Sequence, residues 1–179
     1  LHICAKNPVL HANYQRVTLQ MAVFSQELQT SELGNPERAL ELAEQALAIR
    51  RELFGGRHPD TARSLNNVAG YTSKLGNSER ALELAEQALG IRRELFGNQH
   101  PAIAISLCST AAYLRDLGKP DKAYSRAKAA YDMQRQLLGA EHPDTLRTAR
   151  LLAQIKRPGF RVPSSKKGRP ARKRRKQRK

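Results

Sequence analysis

Residues Asn35 to Gly55 have the sequence NPERALELAEQALAIRRELFG, and nearly the same letters return at Asn77 to Gly97 as NSERALELAEQALGIRRELFG. A third, more divergent copy, KPDKAYSRAKAAYDMQRQLLG, occupies Lys119 to Gly139. Each copy begins 42 residues after the one before it. A fixed period of roughly 20 to 50 residues is typical of proteins built from stacked structural units, so this spacing predicts a repeat array.

Glycine and proline divide each period into two halves. Glycines occur at a constant step of 21 residues, at positions 34, 55, 76, 97, 118 and 139. Glycine is favoured just past the end of a helix, whereas proline is favoured in the first helical turn. Prolines stand at the expected starts, at positions 36, 59, 101, 120 and 143. Each half is therefore predicted to be one helix, and each period an antiparallel helix hairpin.

The spacing of small and large residues predicts how these helices pack. Leu65, Val68, Ala69, Thr72 and Leu75 share one face of a helix, and alanines recur on one face of its partner. Alanine allows two helices to approach closely, and a single hairpin cannot bury its apolar face alone, so the hairpins should stack. A closing helix from Thr145 to Lys156 is expected to cover the last unit with Leu146, Leu151 and Leu152. The predicted small-residue faces are Ala39, Ala43 and Ala46, then Ala81, Ala85 and Ala88, then Ala123, Ala127 and Ala130.

The segments SLNNVAGYTSKLGN, ALELAEQAL and ELFGGRHPDTA resemble the long-period tetratricopeptide repeats of kinesin light chains and their bacterial relatives. The resemblance spans roughly residues 34–152. It implies an all-α fold, a right-handed superhelical solenoid of antiparallel helix hairpins. We predict three parts: an N-terminal segment with a degenerate first helix (1–33), the repeat array with its closing helix (34–156), and a disordered basic C-terminal tail (157–179).

The resemblance also implies a binding surface, because in this family the first helix of each hairpin lines the concave groove. Arginine pairs with carboxylates through two parallel hydrogen bonds, and asparagine can bind peptide backbone groups. We therefore expect a protein–protein interaction scaffold whose groove binds an extended, acidic peptide of a partner protein. The predicted groove residues are Arg63, Asn66, Asn67, Lys74, Arg115, Arg147 and Arg150.

The sequence contains no pattern that favours catalysis or a cofactor. His58, His100 and His142 recur in register, but each precedes a proline at a helix start, where the side chain can cap the helix. Stacked turns would hold these rings about 10 Å apart, too far to share a metal ion. No nucleophile recurs beside a base, and Cys108 is interpreted as a small apolar residue. We predict no enzyme activity, no cofactor and no metal site.

The basic charge lies mostly in the tail. The chain has a formal net charge of +16, and 13 of its 32 Lys and Arg residues lie from Lys156 onward, where there is no acid. A first alternative is therefore a nucleic-acid-associated protein that uses the tail, with the repeats recruiting partners. A second alternative is a C-terminal fragment of a larger regulator with such repeats. The predicted polyanion-binding residues are Lys166, Lys167, Arg169, Arg172, Lys173, Arg174 and Arg175.

The same composition indicates the cellular compartment of the protein. No apolar run approaches the ~18 residues that span a bilayer, and two cysteines are too few for a disulfide framework. We expect a cytoplasmic protein without membrane contact. In a eukaryote the basic tail makes the nucleus a second expected location, because short Lys/Arg-rich runs act as nuclear import signals.

If the tail binds nucleic acid, the full chain will bind a DNA duplex with an affinity that falls steeply as salt rises, since each phosphate contact releases counterions. Deletion of all residues after Lys156 should abolish that binding. Fluorescence anisotropy with labelled DNA, measured between low and physiological salt, tests this. Equal DNA affinity of the truncated chain would show that the tail is not responsible.

Overall fold

A computed structural model of the protein describes residues 35–155, and all regular secondary structure in that range is helical. This confirms the all-α prediction. The N-terminal segment 1–33 and the tail 157–179 lie outside the described residues. The helices are α1 (Pro36–Phe54), α2 (Pro59–Lys74), α3 (Ser78–Phe96), α4 (Pro101–Asp116), α5 (Pro120–Leu138) and α6 (Pro143–Gln154).

Local sequence signals set the helix ends. The side chains of Asn35 and Asn77 accept hydrogen bonds from the backbone N–H groups of Arg38 and Arg80, at 2.9 and 3.0 Å. These bonds satisfy donors that have no partner inside the helix. The glycines of the 21-residue series within the described range have φ angles between 67° and 93°, which side chains of L-residues rarely adopt. The glycine spacing therefore follows from the backbone geometry of the turns.

The helices form a stack of nearest neighbours. α2 packs against α3 and α4 packs against α5, forming the two complete hairpins. α1 packs on α2, α3 packs on α4, and α5 packs on α6, so that each helix contacts the helices next to it in sequence. Contact that propagates from unit to unit is the architecture of a solenoid. No helix in residues 35–155 is long and apolar enough to cross a bilayer.

The predicted alanine faces form the contacts between helices. Ala81, Ala85 and Ala88 on α3 are fully buried, and they lie in one core cluster with Leu65 and Val68 of α2. The corresponding alanines of α1 and α5 are also buried, with at most 1% of their surface exposed. The pairing of small residues with large ones, predicted from helical periodicity, is confirmed.

Two predicted core leucines are exposed, and a third, Leu152, is only partly buried. Leu75 is 38% exposed, because it follows the last residue of α2 and caps the helix instead of facing α3. Leu146 is 40% exposed, so it does not cover the last unit as expected. Leu151 is buried as predicted, and Ile155, which was not predicted, is buried too. The closing helix begins at Pro143, two residues earlier than expected, because His142 caps it.

Substitution of Ala85 tests the close packing of α3 on α2. Ala85→Leu should destabilise the protein by about 1–3 kcal/mol, because the extra carbons force the two helices apart. Gln87→Leu is the control, since it adds an apolar side chain at an exposed position of the same helix. Urea unfolding followed by circular dichroism measures both effects. Equal stability of the two variants would contradict close contact at Ala85.

Candidate functional site

α2, α4 and α6 lie side by side, joined by polar contacts. Asn66 on α2 donates a hydrogen bond to the Ser106 hydroxyl on α4 (3.4 Å), and the Thr148 hydroxyl on α6 donates to the Cys108 sulfur on α4 (3.4 Å). These contacts repeat with the 42-residue period, because Ser106 and Thr148 hold equivalent positions, as do Asn66 and Cys108. We call the surface formed by α2, α4 and α6 the A-helix face.

The predicted groove residues all belong to these three helices. Their side chains range from half-buried to exposed, so none of them is part of the closed core. They therefore lie on neighbouring helices and outside the closed core. α2 contributes Arg63, Asn66, Asn67 and Lys74, α4 contributes Arg115, and α6 contributes Arg147 and Arg150.

Acidic residues that the sequence analysis overlooked pair with two of the groove arginines. Arg63 lies 2.6 Å from the carboxylate of Asp60, and Arg147 lies 3.4 Å from that of Asp144. Both aspartates occupy the first turn of their helix, three residues before the arginine. The Asp-x-x-Arg spacing that follows each His-Pro could have revealed these pairs, because residues at i and i+3 are neighbours on a helix. The surface is therefore less positive than expected.

The remaining cations of the A-helix face differ in their surroundings. Arg115 donates to the side-chain oxygen of Gln154 on α6 at 2.9 Å and also pairs with the adjacent Asp116. The amino group of Lys74 lies 5.2 Å from the centre of the Tyr71 ring. Arg150 is exposed, and within residues 35–155 it forms no ion pair. Positive charge thus extends from α2 to α6.

Sequence reasoning missed a set of buried polar residues on the second helices. Arg50 and Arg92 are only 3% and 6% exposed, and Gln134 holds the equivalent position in the third copy with 2% exposed. Arg50 donates to the hydroxyl of Ser64, the residue that corresponds to Ser106. Each of the three polar residues follows the alanine face by four residues, a helical spacing, so periodicity could have predicted that they point inward.

Arg92 lies where two helices meet. Its Nη1 atom donates to the Ser106 hydroxyl at 2.6 Å and to the Ala102 carbonyl at 3.0 Å. Burial and, to a smaller extent, repulsion from Arg63 together lower the pKa of Arg92 from 12.5 to about 10. A cation removed from water and placed near another cation is held at a cost in free energy.

The histidines cap helices. The Nδ1 atom of His100 accepts a hydrogen bond from the Ala102 N–H at 3.1 Å, and its ring stacks on Phe96 with centroids 4.2 Å apart. His58 and His142 accept equivalent bonds at the starts of α2 and α6. Within the described range, no group of three or more His, Cys, Asp or Glu residues is arranged to bind a metal ion.

Burial changes the acidity of two side chains on α4. Burial raises the pKa of the Cys108 thiol, an effect that exceeds the opposing hydrogen bond from Thr148. Burial also raises the pKa of Tyr113 to about 12, helped by the nearby Asp116. Both groups therefore stay protonated at neutral pH, which suits binding and packing better than nucleophilic attack.

Comparison with known proteins agrees with this architecture. The model of the family described as Tetratricopeptide repeat matches residues 30–94 and 73–135, together more than half of the chain. The nearly identical TPR-like repeats of a Podosopora anserina protein assigned as a kinesin light chain have a similar structure, with a TM-score of 0.68 and 24% identity. That similarity covers 75% of this chain and 64% of the other.

BtubC (BKLC) from P. vanneervenii is also similar, with a TM-score of 0.69 and 21% identity over 78% of this chain and 56% of that one. The chain thus spans less than two thirds of these solved structures. Identities this low show a shared fold. Curated proteins gave no match.

The capping role of His100 can be measured. His100→Ala removes the acceptor for the Ala102 N–H and should cost about 1 kcal/mol of stability. α4 has no acidic residue in its first turn that could compensate. His100→Asn restores a capping acceptor and should recover part of the loss. If thermal unfolding shows the same loss for Asn as for Ala, the ring stack on Phe96, and not the cap, carries the contribution.

Proposed function

Because the chain belongs to the tetratricopeptide repeat family, whose repeats bind protein partners, we propose that it is an interaction scaffold whose A-helix face binds an extended acidic peptide. The A-helix face forms the concave groove in this proposal. Its ligand is a segment of a partner protein that crosses α2, α4 and α6 in turn.

The observation that supports this proposal most directly is the charge along three adjacent helices. Arg63 and Lys74 on α2, Arg115 on α4, and Arg147 and Arg150 on α6 carry five cations across one surface. The three carboxylates that contact this set reduce its positive charge without cancelling it. A surface of one dominant sign attracts a peptide of the opposite sign and restricts which partners bind.

The intramolecular ion pairs do not prevent binding. The Arg63 side chain in its pair with Asp60 is 57% exposed, and the Arg147 side chain in its pair with Asp144 is 76% exposed. Exposed pairs of this kind contribute about 0–1 kcal/mol, so a partner carboxylate can replace Asp60 or Asp144 at little cost. Until then the aspartates hold the arginines on the A-helix face, which reduces the entropy lost on binding.

Neutral donors add recognition of the peptide backbone. Asn67 is half-buried between the cations of α2, and its amide can donate to carbonyls or accept from N–H groups. Asn66 beside it donates to Ser106, and its carbonyl oxygen is buried. Because each backbone unit of an extended peptide presents both groups, these contacts would fix its position without reading its sequence. The charges would then select acidic segments.

Nucleic-acid binding through the tail is the second candidate function. It is supported by the concentration of Lys and Arg after Lys156, and residues 166–175 lie outside the described residues. The DNA titration with and without the tail separates this candidate from peptide binding by the repeats.

Simultaneous substitution of three groove arginines tests the proposal. Arg63→Ala, Arg115→Ala and Arg147→Ala in one full-length protein should abolish selective binding of acidic peptides on a peptide array. The matched control replaces Arg38, Arg80 and Arg126 on the second helices. Each of these is also exposed or half-buried and is also paired with a glutamate.

The control variant has the same net charge and the same tail as the groove variant. It should therefore bind acidic peptides as the parent does. Equal loss in both variants would assign the binding to overall charge, and no loss in either would assign it to the tail. Either result would contradict a groove on the A-helix face.

A further inference from the structure

The seam between α2 and α4 contains a connected polar cluster. Ser106 on α4 accepts hydrogen bonds from Arg92 on α3 and from Asn66 on α2. Arg92 also holds the Ala102 carbonyl in the first turn of α4. One hydroxyl and one guanidinium thus join three helices directly beneath the A-helix face.

The guanidinium of Arg92 has unused capacity for an anion. Both hydrogen bonds of Arg92 come from Nη1, and within residues 35–155 its Nε and Nη2 groups have no hydrogen-bond partner. Neither of these two nitrogen atoms is completely buried, so both keep contact with solvent. Arg92 forms no ion pair with any described acid. Its positive charge is therefore uncompensated.

The neighbouring groups increase this positive potential. Arg63 lies close enough for its charge to repel that of Arg92. Two guanidinium groups at one seam favour an oxyanion, because arginine binds carboxylates and phosphates through charge-assisted hydrogen bonds. A bound anion would offset both the repulsion and the loss of hydration at Arg92.

Comparison of the repeats shows that packing alone does not require this cation. Gln134 replaces Arg92 in the next unit and is buried to the same degree, next to α6 instead of α4. At the groove positions above it, Ile105 and Cys108 replace Arg63 and Asn66. The α4–α6 seam is therefore neutral at these positions, whereas the α2–α4 seam is cationic.

We propose that the α2–α4 seam is an oxyanion subsite in which Arg92 and Arg63 together bind one carboxylate of the partner peptide. This inference rests on the proposed function and locates its strongest contact. The carboxylate replaces Asp60 on Arg63 and accepts from the free edge of Arg92, while Ser106 and Asn66 hold that edge in place. An acidic residue of the peptide thus lies over this seam, and none is required over the α4–α6 seam.

The test is a nuclear magnetic resonance titration of the full-length protein with a hexaglutamate peptide. The basic tail will also bind this peptide, so the readout must be specific for the site: the Nε–Hε resonance of Arg92 and the backbone amide of Ser106. Both should shift and saturate together. Hexaglutamine, which has the same length without charge, should leave them unchanged.

Two substitutions isolate Arg92. Arg92→Gln should fold, since glutamine occupies this position in the next unit, and the dissociation constant at the Ser106 amide should rise about tenfold, the loss expected for one charge-assisted contact. Arg80→Gln, which removes one charge from an exposed site on the same helix, should leave that constant unchanged. The reciprocal double change, Gln134→Arg with Ile105→Arg, places both guanidinium groups at the α4–α6 seam and should create a second saturable site reported by the Thr148 amide.

The possible failures are distinguishable. Shifts of amides across α2 and α4 without a shift of Arg92 Nε, and with equal binding by Arg92→Gln, would overturn the subsite and leave the groove standing. Shifts confined to residues after Lys156 would contradict both. If inorganic phosphate moves the Arg92 resonance while hexaglutamate does not, the seam binds phosphate, and its assignment to a peptide carboxylate is wrong.

Discussion

The close approach of helices at alanine contacts is the constraint on which the rest of the structure depends. Ala81, Ala85 and Ala88 have no exposed surface, so α3 packs closely against the apolar side chains of its neighbours. Because the same spacing returns in α1 and α5, every unit is placed against the next in a similar way. That regularity brings α2, α4 and α6 side by side. The packing of the second helices therefore sets the positions of the charged residues on the A-helix face.

Most of the fold could be predicted from the sequence because its signals are local and repeated. Asn35 and Asn77 as caps, prolines in first turns and glycines at positive φ act within a few residues. The exposure of Leu146 was not predicted, because helical periodicity gives the face on which a residue lies and not which neighbouring element covers that face. The burial of Arg50 and Arg92 was missed for a different reason. A charged side chain is expected to face solvent, whereas the helical spacing of these two residues from the alanine faces places them toward the interior. Where the two signals disagreed, spacing was the correct guide.

The cations on the A-helix face and the buried cation beneath it differ in their energetics. Exposed arginines such as Arg63 and Arg147 are paired with aspartates in their own helices, and these pairs contribute little and exchange easily. Arg92 is buried and holds its charge at a cost, with its repulsion by Arg63 unrelieved. In the proposed function, the exposed arginines attract an acidic partner along the whole surface. In the proposed subsite, the buried guanidinium of Arg92 is the position where removal of the bound carboxylate would weaken peptide binding most.

Amide hydrogen exchange of the whole chain, alone and with an acidic peptide selected on the array, shows which helices bind the partner. If the first helices bind the peptide, exchange should become slower in α2, α4 and α6, most strongly around the α2–α4 seam, and change far less in α3 and α5. Slower exchange confined to α3 and α5, or to residues after Lys156, would contradict binding by the first helices.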